Sequence, residues 1–175
     1  MGNDRFDVSD RVIVITGAGQ GLGREYALAF AKEGATPVLA EINGENMRNV
    51  AAEIEADGGT SLAVETDVSD PGSVNAMVAA AIDAYGRVDV LINNASSFYP
   101  TPLQECSNEQ WDDLVDSNLR AAFYLSQQLA PELTRRAGSV VNMVDTHADN
   151  PLKGFPIYSI AKAGVKAMTK SLAKE

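Results

Sequence analysis

Tyr158 and Lys162 stand four residues apart in the segment YSIAK, so a helix there would place them one above the other on a single face. A phenol ionises near ~10, too high to exchange protons readily at neutral pH. An ammonium beside it favours the phenolate and should bring that value toward the working range. The plain alternative is a surface Tyr-Lys pair without chemistry.

A second group of residues has the chemistry of binding. The β-branched run RVIVIT, residues 11–16, leads straight into Gly17-Ala18-Gly19-Gln20-Gly21-Leu22-Gly23. Glycines allow a tight turn and a close backbone approach to a pyrophosphate, and the N-terminus of a following helix offers free N–H groups to its charge. Glu41 comes about twenty residues later, where a carboxylate can accept from an adenosine ribose diol and would repel a 2′-phosphate. Gln20 occupies the place in the turn where a basic partner would stand. NAD is therefore favoured over NADP, unless Glu41 is only a solvated acid at a strand end.

The elements that must carry these groups alternate strand and helix. Residues 11–16, 36–40, 61–65, 88–92 and 139–144 read as strands. Helices are expected from about 21 to 33, closed by Gly34, and over the stripe Met47, Val50, Ala51 and Ile54. After Ser69-Asp70-Pro71 a third helix carries Val74, Met77, Val78, Ala81, Ile82 and Tyr85 and ends at Gly86. A long fourth helix turns Trp111, Leu114, Val115, Leu119 and Ala122 inward, and a last one starts near Pro156. Each crossover helix must bury its stripe on the sheet, which predicts an α/β, doubly wound, Rossmann-like parallel sheet. Residues 1–175 read as a single nucleotide-binding domain.

Composition narrows the function classes. Of 175 residues 45% are apolar and 22% charged, and 14 basic against 24 acidic residues leave a formal charge of −10. Such a surface disfavours nucleic acid and anionic membranes. The apolar run Ala76 to Ile82 is far too short to span a bilayer. The polar start MGNDRFDVSD does not read as a leader, and a cytoplasmic address is expected. One cysteine, Cys106, excludes an intrachain disulfide, and one histidine, His147, excludes a multi-histidine metal site.

With these motifs in order, the chain resembles the short-chain dehydrogenase/reductase family from Arg11 onward. The turn matches the family's TGxxxGxG, Asp67-Val68 its adenine-contacting pair, Asn93-Asn94-Ala95 its NNAG, and Tyr158 with Lys162 its YxxxK. Asn118 falls on its helix asparagine. The resemblance implies an NAD(P)-dependent oxidoreductase acting on a small molecule. Gly17, Gln20, Gly21, Leu22 and Gly23 would hold the pyrophosphate, and Asn94 and Ala95 the nicotinamide side. Lys162 would reach the nicotinamide ribose beside Tyr158. Asn118 would hold a water on a path to Lys162, the alternative being a structural tie between helix and sheet. Family members commonly pair through the helices that contain Asn118 and Tyr158, so a homodimer or homotetramer is expected.

The departures are informative. Asp145, thirteen residues before the tyrosine, stands where the family carries a serine, and the neighbouring Thr146 would face the site from the wrong step of the strand end. The resemblance thereby implies a carboxylate in the pocket: it only accepts hydrogen bonds, so it should repel a bare ketone oxygen, suit a substrate that presents N–H donors, and oppose Lys162 by disfavouring the phenolate, which keeps Tyr158 a proton donor. The stretches NNASSFYPTPL and VNMVD through IYSIAK resemble pteridine reductases, whose proton-relay set is Asp-Tyr-Lys and whose phenylalanine, here Phe98, stacks on the pterin ring. Those enzymes use NADP and carry an arginine where this chain has Gly21. Phe98 could instead be a core aromatic. The family core is longer than this chain, so residues 139–144 are expected to form an exposed apolar edge, either in a fragment or under a partner copy. The competing reading is a dinucleotide-binding protein without turnover.

Overall fold

The computed structural model describes residues 7–175; residues 1–6, which open the polar N-terminal stretch, lie outside the described residues. Five strands, β1 Val12–Thr16, β2 Thr36–Glu41, β3 Leu62–Glu65, β4 Val90–Asn93 and β5 Ser139–Asn142, form one parallel sheet in the order β3-β2-β1-β4-β5. Among the described residues six α-helices connect or follow them: α1 Gly21–Lys32, α2 Gly44–Ala56, α3 Pro71–Tyr85, α4 Asn108–Val115, α5 Ala121–Arg136 and α6 Pro156–Leu172. This is the expected doubly wound Rossmann-like fold.

The alternation of strand side chains divides the core into two layers. Val12, Val14, Val38 and Ala40 pack with Met77 and Ala81 of α3 and Leu125 and Leu129 of α5. Ile13, Ile15 and Leu39 point the other way, onto Ala27 of α1 and Met47, Val50 and Ile54 of α2. All five residues of β1 are buried, as a central parallel strand requires. Helix starts follow local chemistry: the Asp70 carboxylate accepts the N–H groups of Gly72 and Ser73 ahead of α3, with Pro71 at its first position, and Gly86 ends it at φ +66°.

Three expectations are corrected. The fourth strand starts at Val90 rather than Val88, because Asp89 folds its carboxylate back onto the Val12 N–H (2.9 Å) and Arg87 (2.8 Å). The fifth stops at Asn142, since Asp145 caps a 3₁₀ turn over Thr146–Ala148. The long helix is interrupted by a π turn, Asp116–Arg120. Leu114 and Ala122 are buried, but Val115 and Leu119 are half-buried and Trp111 is 43% exposed. Four-residue spacing keeps Trp111, Val115, Leu119 and Phe123 on one flank that the sheet does not cover. On β5, the outer strand, Val140 and Val141 are exposed, as expected for residues 139–144. No helix among the described residues is long and apolar enough to cross a membrane.

Asp89 is the polar anchor at the amino end of the sheet. Its side chain is 1% exposed and also meets Arg11 at 3.3 Å, while its backbone carbonyl accepts the Ser139 N–H at 3.1 Å. Burial pushes its pKa up, but Arg87, the Val12 N–H and Arg11 outweigh burial and hold it below the usual carboxylate value. A depressed folded pKa stabilises above the unfolded value and loses that contribution as pH falls through the folded one. Asp89→Ala should therefore cost about 3 kcal/mol at neutral pH, because it leaves Val12 N–H and Arg87 unpaired. Urea unfolding should show the difference between wild type and variant shrinking below about pH 4.

Candidate active site

After β3 the chain crosses to the opposite side of β1, so the connections leaving β1 and β4 diverge and open a crevice at their carboxyl ends. Thr16 Oγ1, 1% exposed as a residue, accepts the N–H groups of Asn94 (2.9 Å) and Ala95 (3.0 Å). The Asn94 amide donates back to the carbonyls of Thr16 (2.9 Å) and Gly17 (3.3 Å). Gly17 turns at φ +64°, and a Cβ on Gly23 would lie 2.1 Å from the Gly17 carbonyl oxygen, so the helix can approach the strand only with glycine there. Gln20 caps α1 without a side-chain bond, and no acid occupies the first turn, which leaves its N–H groups suited to an anion.

Glu41 is not a solvated acid. It is 6% exposed, and its carboxylate accepts the Gly19 N–H at 2.9 Å and the Asn43 N–H at 3.0 Å. It borders a cleft of about 360 Å³ with Gly17, Gln20, Asp67, Val68 and Asn94, and among the described residues no lysine or arginine lines it. Asp67 is fixed by Ser69, whose N–H (2.8 Å) and hydroxyl (2.6 Å) donate to it. A buried acceptor, uncapped helix N–H groups and glycine-limited backbone fit a dinucleotide. Leu22 sits in the same turn, 59% exposed.

Beyond the cleft, Tyr158 and Lys162 are buried on α6 as the four-residue spacing requires. The Tyr158 hydroxyl donates to Asp145 Oδ2 at 3.0 Å. Lys162 Nζ lies 5.6 Å from the centre of the Tyr158 ring and donates to the Met143 carbonyl at 3.1 Å. The expected lowering of the phenol pKa is overturned: it is pushed up to about 12 by burial first, then by the hydrogen bond and charge of Asp145, against a smaller opposing hydrogen bond with Ser96. The ammonium is over the ring and bound to a carbonyl, and its own pKa is pulled down by burial against the Asp145 charge. Asp145 is held below the usual carboxylate range chiefly by the His147 N–H, with the Tyr158 and Thr146 hydroxyls adding to it against burial.

Asp145 rather than Thr146 meets the tyrosine; the Thr146 hydroxyl donates to Asp145 at 3.2 Å. Phe98 is not a core aromatic: it is 54% exposed, its ring stands edge-on to Tyr158 at 4.8 Å, and Phe155 stacks against it at 4.7 Å. Asn118, 3% exposed, lies in the π turn. Its amide donates to the carbonyls of Ser97 (2.9 Å) and Leu114 (3.0 Å), and its oxygen accepts the Ser96 hydroxyl at 2.6 Å. It borders a cavity of about 10 Å³ with Lys162 and Met143, about the size of one water. Phe155, Ser96 and His147 were not legible as site residues. Ser96 departs from the glycine of NNAG, the one sequence signal available for it; Phe155 and His147 carry none beyond proximity to Tyr158 and Asp145.

The sequence model of a family described as short chain dehydrogenase matches residues 11–175. The short chain dehydrogenase/reductase astE of Aspergillus oryzae is 36% identical over 180 residues, which span 99% of this chain and 69% of that protein. A short chain dehydrogenase/reductase of Burkholderia phymatum, solved in complex with NAD, superposes with a TM-score of 0.92 at 30% identity, over 95% of this chain and 60% of that one. A metagenomic short-chain oxidoreductase in complex with NADP gives a TM-score of 0.91 at 30% identity, over 96% and 77%. The chain thus spans about two thirds of the length of its relatives.

The Tyr158–Asp145 bond has a direct optical readout. Phenolate absorbance, taken as the difference between wild type and Tyr158→Phe, should place Tyr158 near pH 12, as its raised pKa requires. Asp145→Asn removes the charge and should move that midpoint down. An unchanged midpoint would mean that burial alone raises it.

Proposed function

The chain belongs to the short chain dehydrogenase family of oxidoreductases, and on that premise we propose that it transfers hydride between NAD(H) and a small planar substrate. A carbonyl or C=N group would be the reacting centre, and a pteridine-like heterocycle would offer N–H donors to Asp145 and a flat ring to Phe98. The observation that carries this reading is the Tyr158 hydroxyl donating to Asp145 at 3.0 Å beside the exposed Phe98 ring. A serine in that position could donate to a carbonyl oxygen; Asp145 accepts, and so favours a substrate with N–H donors. Phe98 offers a flat apolar surface beside it.

A bound nicotinamide dinucleotide would supply or take the hydride. The N–H groups opening α1 and the turn Gly17 to Gly23 would bind pyrophosphate, with Gln20 and Leu22 in the same turn. Glu41 would take the adenosine ribose hydroxyls, and Asp67 and Val68 would border the adenine. Asn94 and Ala95, fixed by Thr16, would line the nicotinamide side. Tyr158, held protonated, gives its proton to the substrate, and the Lys162 ammonium steadies the phenolate that remains. Asn118 holds Ser96 and Ser97 and borders the small cavity toward Lys162. Assembly as a homodimer or homotetramer through the flank of Trp111, Val115, Leu119 and Phe123 belongs to the same proposal.

NADH should bind more tightly than NADPH, because a 2′-phosphate would face the Glu41 carboxylate in a cleft without a cation. Fluorescence titration should give dissociation constants at least about tenfold apart, and Glu41→Ala should narrow the gap. Equal constants would reverse the cofactor assignment.

Substrate choice is tested by NADH oxidation with 7,8-dihydrobiopterin and with cyclohexanone. Wild type should prefer the pterin, Tyr158→Phe should bind NADH but turn over neither, and Asp145→Ser should gain on the ketone while losing about ten- to hundredfold on the pterin. Unchanged preference in Asp145→Ser would show that Asp145 does not contact substrate. NADH binding without turnover of either would favour a binding protein.

A further inference from the structure

We propose that Asn43, at the start of α2, is a modification site: it deamidates without an enzyme, and the isoaspartate formed there loosens the dinucleotide cleft. The effect on cofactor binding rests on the cofactor reading proposed above, whereas the modification itself does not. Asn43 is the one asparagine of the chain that precedes a glycine. Deamidation begins when the backbone nitrogen of the next residue reaches the side-chain amide carbon, and glycine hinders that approach least because it has no Cβ. Asn43 is exposed and Gly44 half-buried, so water reaches the pair.

The reaction balances with water alone. Gly44 N bonds to Asn43 Cγ, the Cγ–Nδ2 bond breaks, and Nδ2 leaves as ammonia with the Gly44 proton. Water then opens the five-membered imide. Attack at Cγ gives aspartate; attack at the main-chain carbon gives isoaspartate, whose backbone runs through Cβ and is longer by a methylene. In the folded chain Asn43 is extended at ψ 98°, and its Oδ1 accepts the N–H groups of Glu45 and Asn46, both at 3.1 Å. Closing the ring requires Asn43 to leave that conformation. Opening of the exposed first turn of α2 therefore sets the rate.

The position of Asn43 couples this chemistry to the cleft. The Glu41 carboxylate accepts the Asn43 N–H with Oε1 at 3.0 Å and the Gly19 N–H with Oε2 at 2.9 Å. A Cβ on Gly19 would lie 2.7 Å from Glu41 Cγ and 2.9 Å from Asn46 Cβ, so the glycine turn rests directly on Glu41 and on the first turn of α2. The Asn43 carbonyl also accepts the Met47 N–H at 3.0 Å, which starts the helical bonding. In isoaspartate the side-chain carbon enters the backbone and the former carbonyl becomes a carboxylate. The N–H groups of Glu45, Asn46 and Met47 then lose their acceptor geometry, and Asn46 no longer supports Gly19. NADH bound through Glu41 and the glycine turn holds this corner closed and slows the conversion.

The test incubates the purified chain in warm, mildly alkaline buffer with and without NADH, and maps its peptides by mass spectrometry and isoaspartyl methyltransferase labelling. Asn43 should convert severalfold faster than any other asparagine of residues 7–175, chiefly to isoaspartate, and NADH should slow it severalfold. The converted protein should bind NADH at least about tenfold more weakly by fluorescence titration. Asn43→Ser keeps a capping oxygen but has no amide to lose, so its NADH affinity should survive the same incubation. Another asparagine converting first, converted protein with unchanged NADH affinity, or an equal loss of affinity in Asn43→Ser overturns the proposal. Fresh wild type that does not bind NADH would sink the cofactor reading instead, with the peptide map still deciding whether Asn43 is modified.

Discussion

Thr16 Oγ1 is the single atom on which both halves of the site hang. It closes β1 and accepts two successive N–H groups from the chain leaving β4, so the glycine turn and the loop of Asn94 to Phe98 move as one body. The Asn94 amide adds a second tie by donating to the Thr16 and Gly17 carbonyls, so the two loops that border the crevice between β1 and β4 are joined on both sides. Through Ser96 and Ser97 the same loop is pinned to Asn118, and through Phe98 it reaches the Tyr158 ring. A hydroxyl can do this because it accepts twice and donates once, here to the Ile92 carbonyl at 3.4 Å. The π turn completes the arrangement by holding Asn118 against the loop, just ahead of a helix whose buried positions are mostly apolar.

The charges around Tyr158 show which effect dominates in a buried site. A lysine four residues on suggests an acidified phenol, but proximity along a helix does not fix where an ammonium points. Lys162 spends its hydrogen bond on a backbone carbonyl, whereas Asp145 contacts the phenol oxygen itself. Burial and the nearer carboxylate act in the same direction, so the phenol keeps its proton. The arrangement as it stands therefore presents a phenol O–H rather than a phenolate at the end of the crevice.

Much of this was legible in the sequence because it is periodic or strictly local. The strand runs are short and β-branched, the crossover stripes have helical spacing, and the glycine turn follows the first strand directly, which together predict the parallel sheet. Asp145 and Phe98 were legible only through the resemblance, as the residue at the family's serine position and the aromatic after its NNA turn. Trp111 misled because an i, i+4 series identifies a flank without saying whether anything covers it. The π turn was not legible, since Asp116, Ser117 and Asn118 are weak helix formers of a kind any exposed helix face can carry, and the apolar spacing runs on through Leu119. Phe155 and His147 matter through contacts across a loop and a 3₁₀ turn, and such contacts have no period to read.

Asp145 also explains why the family's serine and this aspartate can exchange without disturbing the fold. Its side chain is the N-cap of the 3₁₀ turn Thr146–Ala148, accepting the His147 N–H two residues ahead. Serine and aspartate are both strong N-caps, so either residue satisfies the turn and holds the end of β5 at the same height above the sheet. They differ only in what remains for the pocket. Serine retains a hydrogen to give, while aspartate brings a charge and a second acceptor, which Tyr158 uses. The structural demand at this position is therefore met by either residue, and Asp145 leaves a charged acceptor beside Tyr158 where serine would leave a hydroxyl that can also donate.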